Sequence, residues 1–255
     1  MNDTPAKDLW ARLRAATPAR IGLGRSGAGL PTSANLEFQF AHARARDAVH
    51  RAVNFDALVA ELSPRETHVL ESAAGDRATY LRRPDLGRKL ASGEAEKIAG
   101  GEPPDIVFVV ADGLSADAVQ AHAAAVIQAC EPALAGLSIG PIFLVLQGRV
   151  AIGDEVGACL GAALVVMLIG ERPGLTVADS LGAYLTFGPR AGRRDSERNC
   201  ISNIHGNGGL SYDQAAAKIA WLAREALRLK LTGTGLKDDA PGLALGEDGQ
   251  LSLPK

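Results

Sequence analysis

The run Leu164, Val165, Val166, Met167, Leu168 and Ile169 has no polar face. An amphipathic helix would show a polar stripe with a period of about 3.6 residues, and a half-exposed strand one with a period of about 2. A stretch that is apolar all round fits a strand covered on both sides, as in a parallel sheet with helices on each face. The chain here reads AALVVMLIGERPGL over residues 162–175, so the run ends in a glycine and a charged turn that Pro173 stiffens. In open α/β sheets ligands bind outside the carboxyl ends of the strands. Glu171 and Arg172 are therefore charges at the edge of a buried sheet.

The same pattern recurs nearby. Residues 106–110 read as an apolar strand ending at Ala111-Asp112-Gly113. Ser115 can cap the following helix, with Asp117 favourable in its first turn, and Val119, Ala123, Val126, Ile127 and Cys130 marking its buried face. Pro141 opens a second strand over 142–146, ending at Gln147-Gly148-Arg149, and residues 154–160 form a short helix. A fourth candidate strand covers 183–187. Strands alternating with helices at this spacing predict a parallel sheet with right-handed crossovers. If adjacent, the three strand-end loops share one edge and make a shallow cleft of backbone amides, acids and arginines. Such a cleft suits an amide-rich or anionic ligand. It is a poor acid–base site, because no histidine accompanies Asp112 and Glu171, and their spacing gives no reason to pair them for hydrolysis. A last helix starts at a capping box of Ser211 and Gln214, buries Tyr212, Ala216, Ile219 and Ala223, and can end at Gly233.

The first part of the chain reads differently. Leu9, Trp10 and Leu13 can share one face of a short helix. Residues 20–31, RIGLGRSGAGLP, place Gly22, Gly24 and Gly27 in the dinucleotide pattern G-x-G-x-x-G. That pattern works only with a buried strand before it and a helix directly after. A poor strand precedes it, and Gly29 and Pro31 interrupt the helix that the phosphates would need, so a flexible loop is the favoured reading and phosphate binding the alternative. Thr32 can cap a helix to about Val53 that carries a patch of His42, Arg44, Arg46, Asp47, His50 and Arg51, a solvated or subunit-facing surface. A short helix is expected over 54–62 and another from Ser63 through Leu70, so residues 1–75 are expected to hold no strand. Residues 80–88 form a polar link, residues 89–99 can be helical, and a domain boundary falls between Asp76 and Arg88.

With 255 residues, 47% of them hydrophobic, the chain can bury a sizeable core. A net charge of −2 gives no electrostatic footprint for nucleic acid or an anionic membrane. Cys130, Cys159 and Cys200 share no metal-like spacing and form no even disulfide set, which suggests a reducing setting. No apolar stretch reaches the about 18–20 residues of a spanning helix, and the start lacks a signal-peptide core. Cys200, in Asn199-Cys200-Ile201-Ser202-Asn203, has three readings: a small buried residue, a nucleophile using His205, or a ligand contact.

Taken together, RIGLGRSG with LPT, FAHARARDAVH, RPDLGR, VVADGLSADAVQAHA, QGRVAIGDE, LIGERPGL, DSLGAYLTF, RNCISNIH, and GLSY leading to LTGTGLKD closely resemble the small (light) subunit of bacterial ethanolamine ammonia-lyase, from Arg20 to about Asp238. The resemblance implies an α/β fold: a Rossmann-like parallel sheet flanked by helices over 86–240, a helical N-terminal region over 1–85 packing on the partner subunit, and a C-terminal tail over 241–255. It implies a hetero-oligomer with a large subunit that carries the substrate site, with adenosylcobalamin between the two, in the cytoplasm or a bacterial microcompartment. Ethanolamine is converted to acetaldehyde and ammonia, and this chain supplies cofactor-binding residues but no catalytic one. By matching motifs those residues are Val150 in QGRVAIG, Glu171 in IGERPGL and Cys200 in RNCISNI. The cofactor's own base stays on cobalt, so no metal ligand is assigned. Asn203-x-His205-x-x-Gly208 only echoes the D-x-H-x-x-G pattern of another cobalamin-binding class, with Asn in place of Asp. Two alternatives stand beside this one: an NAD(P)-binding Rossmann oxidoreductase using the glycine loop, and a structural microcompartment module.

Overall fold

The computed structural model describes residues 10–17, 19–98, 100–239, 244–245 and 251–252. Three helices lead the chain: α1 (Ala11–Ala16), α2 (Thr32–His50) and α3 (Phe55–Leu62). Leu9 lies outside the described residues, and α1 buries none of its own side chains. Thr32 is the first helical residue of α2 rather than its cap, because Pro31 already supplies the extended entry. Asn54 caps α3 by accepting a hydrogen bond from the Ala57 amide.

A strand, β1 (Thr67–Glu71), follows where the sequence reading expected a helix. It pairs in parallel with β3 (Ile142–Leu146), which corrects the expectation that residues 1–75 contain no strand. The polar link begins as a helix, α4 (Arg77–Arg82), capped by Asp76. The helix expected over 89–99 reduces to a short 3-10 turn at Glu94–Lys97, with Leu90 bridged to Ser72 instead.

The expected alternation then appears: β2 (Ile106–Ala111), α5 (Ala116–Ala133), β3, α6 (Ile152–Leu160) and β4 (Leu164–Gly170). Every residue of β2 and β4 is buried. Each fully buried aliphatic side chain there contributes about 1.5–3 kcal/mol relative to exposure. Ser115 caps α5 through the Ala118 amide.

The sheet is mixed, not wholly parallel. Its order is β1-β3-β2-β4-β5-β6, where β5 is Leu181–Phe187 and β6 is Asn199–Ile204. β1, β3, β2 and β4 run parallel, β5 returns antiparallel to β4, and β6 is antiparallel to β5. The physical reason is loop length. Residues 171–180 form a connection too short and too irregular for a crossover helix, so β5 must turn back beside β4. The last long helix is α7 (Tyr212–Leu229), opened by the capping box of Ser211 and Gln214. It ends at Lys230, which adopts a left-handed conformation with φ 57°, ahead of Gly233. Beyond it, Ala244–Leu245 and Leu251–Ser252 pair as two short antiparallel strands, and the rest of the expected tail lies outside the described residues.

Helices cover the two faces of the sheet unequally. One face packs Ile106, Phe108, Val110, Val166 and Leu168 with α3, α5 and α7. The other packs Val107, Val109, Val165 and Met167 with Ile152, Val156 and Leu160 of α6. α7 backs β5 and β6 on the first face, whereas α6 lies over β2 and β4. The second face of β5 and β6 is only partly covered: Thr186 is buried beneath Arg198 and Asp154 of α6, Tyr184 is half-buried, and Cys200 and Ser202 are exposed.

Candidate functional site

The parallel directions of β3, β2 and β4 bring the loops after Leu146, Ala111 and Gly170 to one edge, as their spacing predicts. Their junction is tight. The Leu114 amide donates to the Gly170 carbonyl at 2.9 Å, and a Cβ on Gly170 would collide with the Ser115 and Asp112 carbonyls.

Asp112 is almost fully buried beneath this junction. Its carboxylate accepts from Arg77 Nη1 at 3.3 Å and from the Gly148 amide at 3.2 Å. Burial pushes its pKa up to about 6 against the pull of Arg77. Arg77 also donates to the carbonyls of Val49 and Gly113 and to Gln147 Oε1. Asp112 thus ties α4, β2 and the β3 loop together and does not face Glu171 as a partner acid.

Glu171 is held by its neighbours. Its carboxylate accepts hydrogen bonds from the hydroxyls of Ser180 and Ser202, and from the Asn203 amide at 3.3 Å. Those donors come from the start of β5 and the end of β6, so Glu171 pins three strands at their common edge. A carboxylate offers about four lone-pair sites. One on Oε1 therefore remains for an outside donor.

Tyr184 forms the floor between the predicted residues. It sits opposite Met167 on one side and Cys200 on the other. Burial raises its pKa. Two cavities meet at Tyr184. One, of about 310 Å³, is lined by Gly113, Arg149, Val150, Glu171, Arg172 and Tyr184. The other, of about 400 Å³, is lined by Arg88, Arg149, Val150, Tyr184, Asp195 and Arg198. Val150 and Glu171 line the same cavity, and Cys200 lies across the strand pair from its floor.

Cys200 is exposed, so its reading as a small buried residue is corrected. Partial desolvation raises the thiol's pKa, offset in part by the Tyr184 hydroxyl. A raised thiol pKa opposes a nucleophilic role. His205 is buried and engages the Asn207 amide at 3.2 Å.

Beneath the second cavity Arg198 forms a buried fork with Asp154, Nη1 to Oδ1 at 2.6 Å and Nη2 to Oδ2 at 2.7 Å, and also donates to Thr186 Oγ1. The sequence reading missed this pair, as it missed the serines that hold Glu171. One signal was available for Tyr184: a large side chain with a polar tip inside an otherwise apolar strand.

The glycine loop is not a dinucleotide fingerprint here. α1, not a strand, precedes Gly22, and α2 begins only after the Ser26–Gly29 turn. A cavity of about 570 Å³ beside it includes Glu37, an unfavourable neighbour for phosphate. Among the described residues, no three His, Cys, Asp or Glu side chains cluster as metal ligands, and no helix is long and apolar enough to cross a membrane.

Comparison with known proteins adds a family. The sequence model described as ethanolamine ammonia-lyase light chain (EutC) matches residues 7–237. An ethanolamine ammonia-lyase small subunit of Xanthomonas campestris pv. campestris is 55% identical, with 96% of this chain and 93% of that protein covered. One from Bradyrhizobium diazoefficiens is 52% identical, covering 95% of each. One from Pseudomonas fluorescens is 53% identical over 91% of this chain and 87% of that protein.

Proposed function

This chain belongs to the ethanolamine ammonia-lyase light chain family and is a subunit of a lyase, and on that premise we propose that its groove holds one side of adenosylcobalamin where it meets a larger partner subunit. The observation that supports this reading is the meeting of Val150, Glu171 and Cys200, far apart in sequence, around the single floor residue Tyr184.

The donor set fits a corrin. That ring is broad and flat, apolar on its faces, with amide groups around its rim. Val150 and Tyr184 offer apolar surface, and the exposed part of β6 around Cys200 and Ser202 extends it. Glu171 Oε1 offers an acceptor for an amide N–H, held in place by Ser202.

When bound, adenosylcobalamin supplies the radical chemistry that converts ethanolamine to acetaldehyde and ammonia. The residues of this chain bind and orient. Glu171 fixes one rim amide, Val150 and Tyr184 exclude water from the contacted face, and Cys200 contributes packing beside them. No side chain here is assigned a step on the substrate. Helices of the N-terminal region pack on the partner subunit, while its strand β1 belongs to the sheet, and the assembly works in the cytoplasm or inside a microcompartment.

The test is reconstitution. Purified chain and purified large subunit are mixed with adenosylcobalamin, and ammonia release from ethanolamine is followed. Activity is expected only with both chains and the cofactor. Full activity from the large subunit alone would overturn the proposal.

A further inference from the structure

The cavity on the far side of Val150 from Glu171 has a charge imbalance that amide binding leaves unused. Its lining holds three arginines, Arg88, Arg149 and Arg198. Two of them are matched within the chain. Arg198 is neutralised by the buried fork to Asp154, and Arg88 lies 3.6 Å from Asp195. Arg149 has no carboxylate within ion-pair distance among the described residues.

Arg149 is also held still. Its guanidinium stacks over the Tyr80 ring at 4.0 Å and donates from Nη2 to the Tyr80 carbonyl at 3.2 Å. Its backbone amide donates to the Gly87 carbonyl at 2.7 Å. Close packing fixes the stem as well, since a Cβ on Gly87 would lie 3.0 Å from Arg149 Cγ. Its Nε is buried and unpartnered among the described residues. Arg172, by contrast, is exposed, and water can screen its charge. A pre-oriented, partly desolvated guanidinium with no internal counter-charge favours an anionic oxygen ligand, because its planar fork matches phosphate or carboxylate geometry.

We propose that Arg149 is the anion anchor of the groove and receives the phosphodiester of the cofactor's nucleotide loop, while Glu171, which lines only the smaller cavity, receives rim amides of the ring. This rests on the cofactor reading given above. It sets a cation beside an acceptor, because Arg149 lines both cavities and Glu171 only the smaller, and an asymmetric ligand with one anionic group and amide groups meets both in one orientation.

The experiment measures affinity, not turnover. The assembled two-subunit complex, wild type and Arg149→Gln, is titrated by absorption spectroscopy with adenosylcobalamin and with adenosylcobinamide, which keeps the corrin and its amides but lacks the phosphate and nucleotide loop. Arg149→Gln is expected to weaken adenosylcobalamin binding about ten- to a hundredfold, the range for losing a charge-assisted hydrogen bond. Adenosylcobinamide affinity is expected to stay within about twofold, the same tolerance applied to a variant whose fold is intact. Equal weakening for both ligands would overturn the assignment, pointing instead to a packing role or a carboxylate of the partner. No change for either ligand would overturn it too. If the wild-type complex binds neither corrin, the cofactor reading itself has failed and the anchor falls with it. A thermal melt of the variant complex coincident with wild type is the check that the substitution has not simply unfolded the chain.

Discussion

At the scale of single residues, Glu171 and Asp112 show how two carboxylates at one sheet edge take different roles. Glu171 is half-buried, and its hydrogen bonds come from the chain itself. Glu171→Ala strands those donors, so a loss of about 1–3 kcal/mol in stability is expected, together with a similar loss in cofactor binding by the assembled complex. Ser202→Ala removes one donor and keeps the carboxylate, so its effect on both should be smaller. Chemical denaturation and cofactor titration of the two variants check this, and unchanged affinity in Glu171→Ala would remove that residue from the binding site.

Asp112 gives a pH signature. Its folded pKa of about 6 lies above the ordinary 3.8, so the folded state binds the proton more tightly than the unfolded chain. The stability this contributes is complete below pH 3.8 and is lost as pH rises through about 6. The change is about 3 kcal/mol across that window. Asp112→Asn cannot titrate, so the stability of wild type minus variant should fall as the pH is raised from 4 to 7. Urea melts at several pH values measure it, and a difference that is flat or rises with pH would show that burial does not govern this group.

At the scale of elements, Gly170 decides whether β4 and the turn before α5 can close on each other. Gly170→Ala pushes a methyl group into the Ser115 and Asp112 carbonyls. Backbone cannot rotate away as a side chain can, so a loss toward the upper end of the about 1–3 kcal/mol typical of overpacking is expected, seen as a lowered thermal midpoint. A midpoint equal to wild type would mean that the junction relaxes freely. The central strands were legible because burial on both faces leaves an unbroken apolar run, as in β4. β1 was not, because Ser63-Pro64-Arg65-Glu66 resembles a helix start and the strand sits at the sheet edge with mixed burial. β6 was hidden by a bulge. Leu181 pairs with Ile204 and Ala183 with Ile201, so one extra residue on β6 breaks the period of two. Asn203 absorbs the kink with φ 62°, and its amide is the one that reaches Glu171. The bulge that concealed the strand therefore helps build the site. The loop positions Val150 and Glu171 were legible as strand ends, whereas Tyr184, Ser180 and Ser202 depend on an antiparallel return that a parallel-sheet reading does not contain.

At the scale of the whole molecule, the imbalance between the two sheet faces is the main fact. α7 seals β5 and β6 from one side, whereas on their other side α6 reaches only Thr186, through Asp154 and Arg198, and Tyr184, leaving Cys200 and Ser202 exposed. A sheet face is normally buried against another layer. On the proposed function, a flat cofactor and the partner that encloses it would complete that layer. Val150 lines both cavities and so stands at the waist of the groove. The most direct measurement is the affinity of the assembled two-subunit complex for adenosylcobalamin with Val150→Trp in this chain. A bulky ring at the waist should abolish tight binding while the two subunits still co-purify in wild-type proportion, and cofactor affinity equal to wild type in that complex would contradict the placement of the cofactor in this groove.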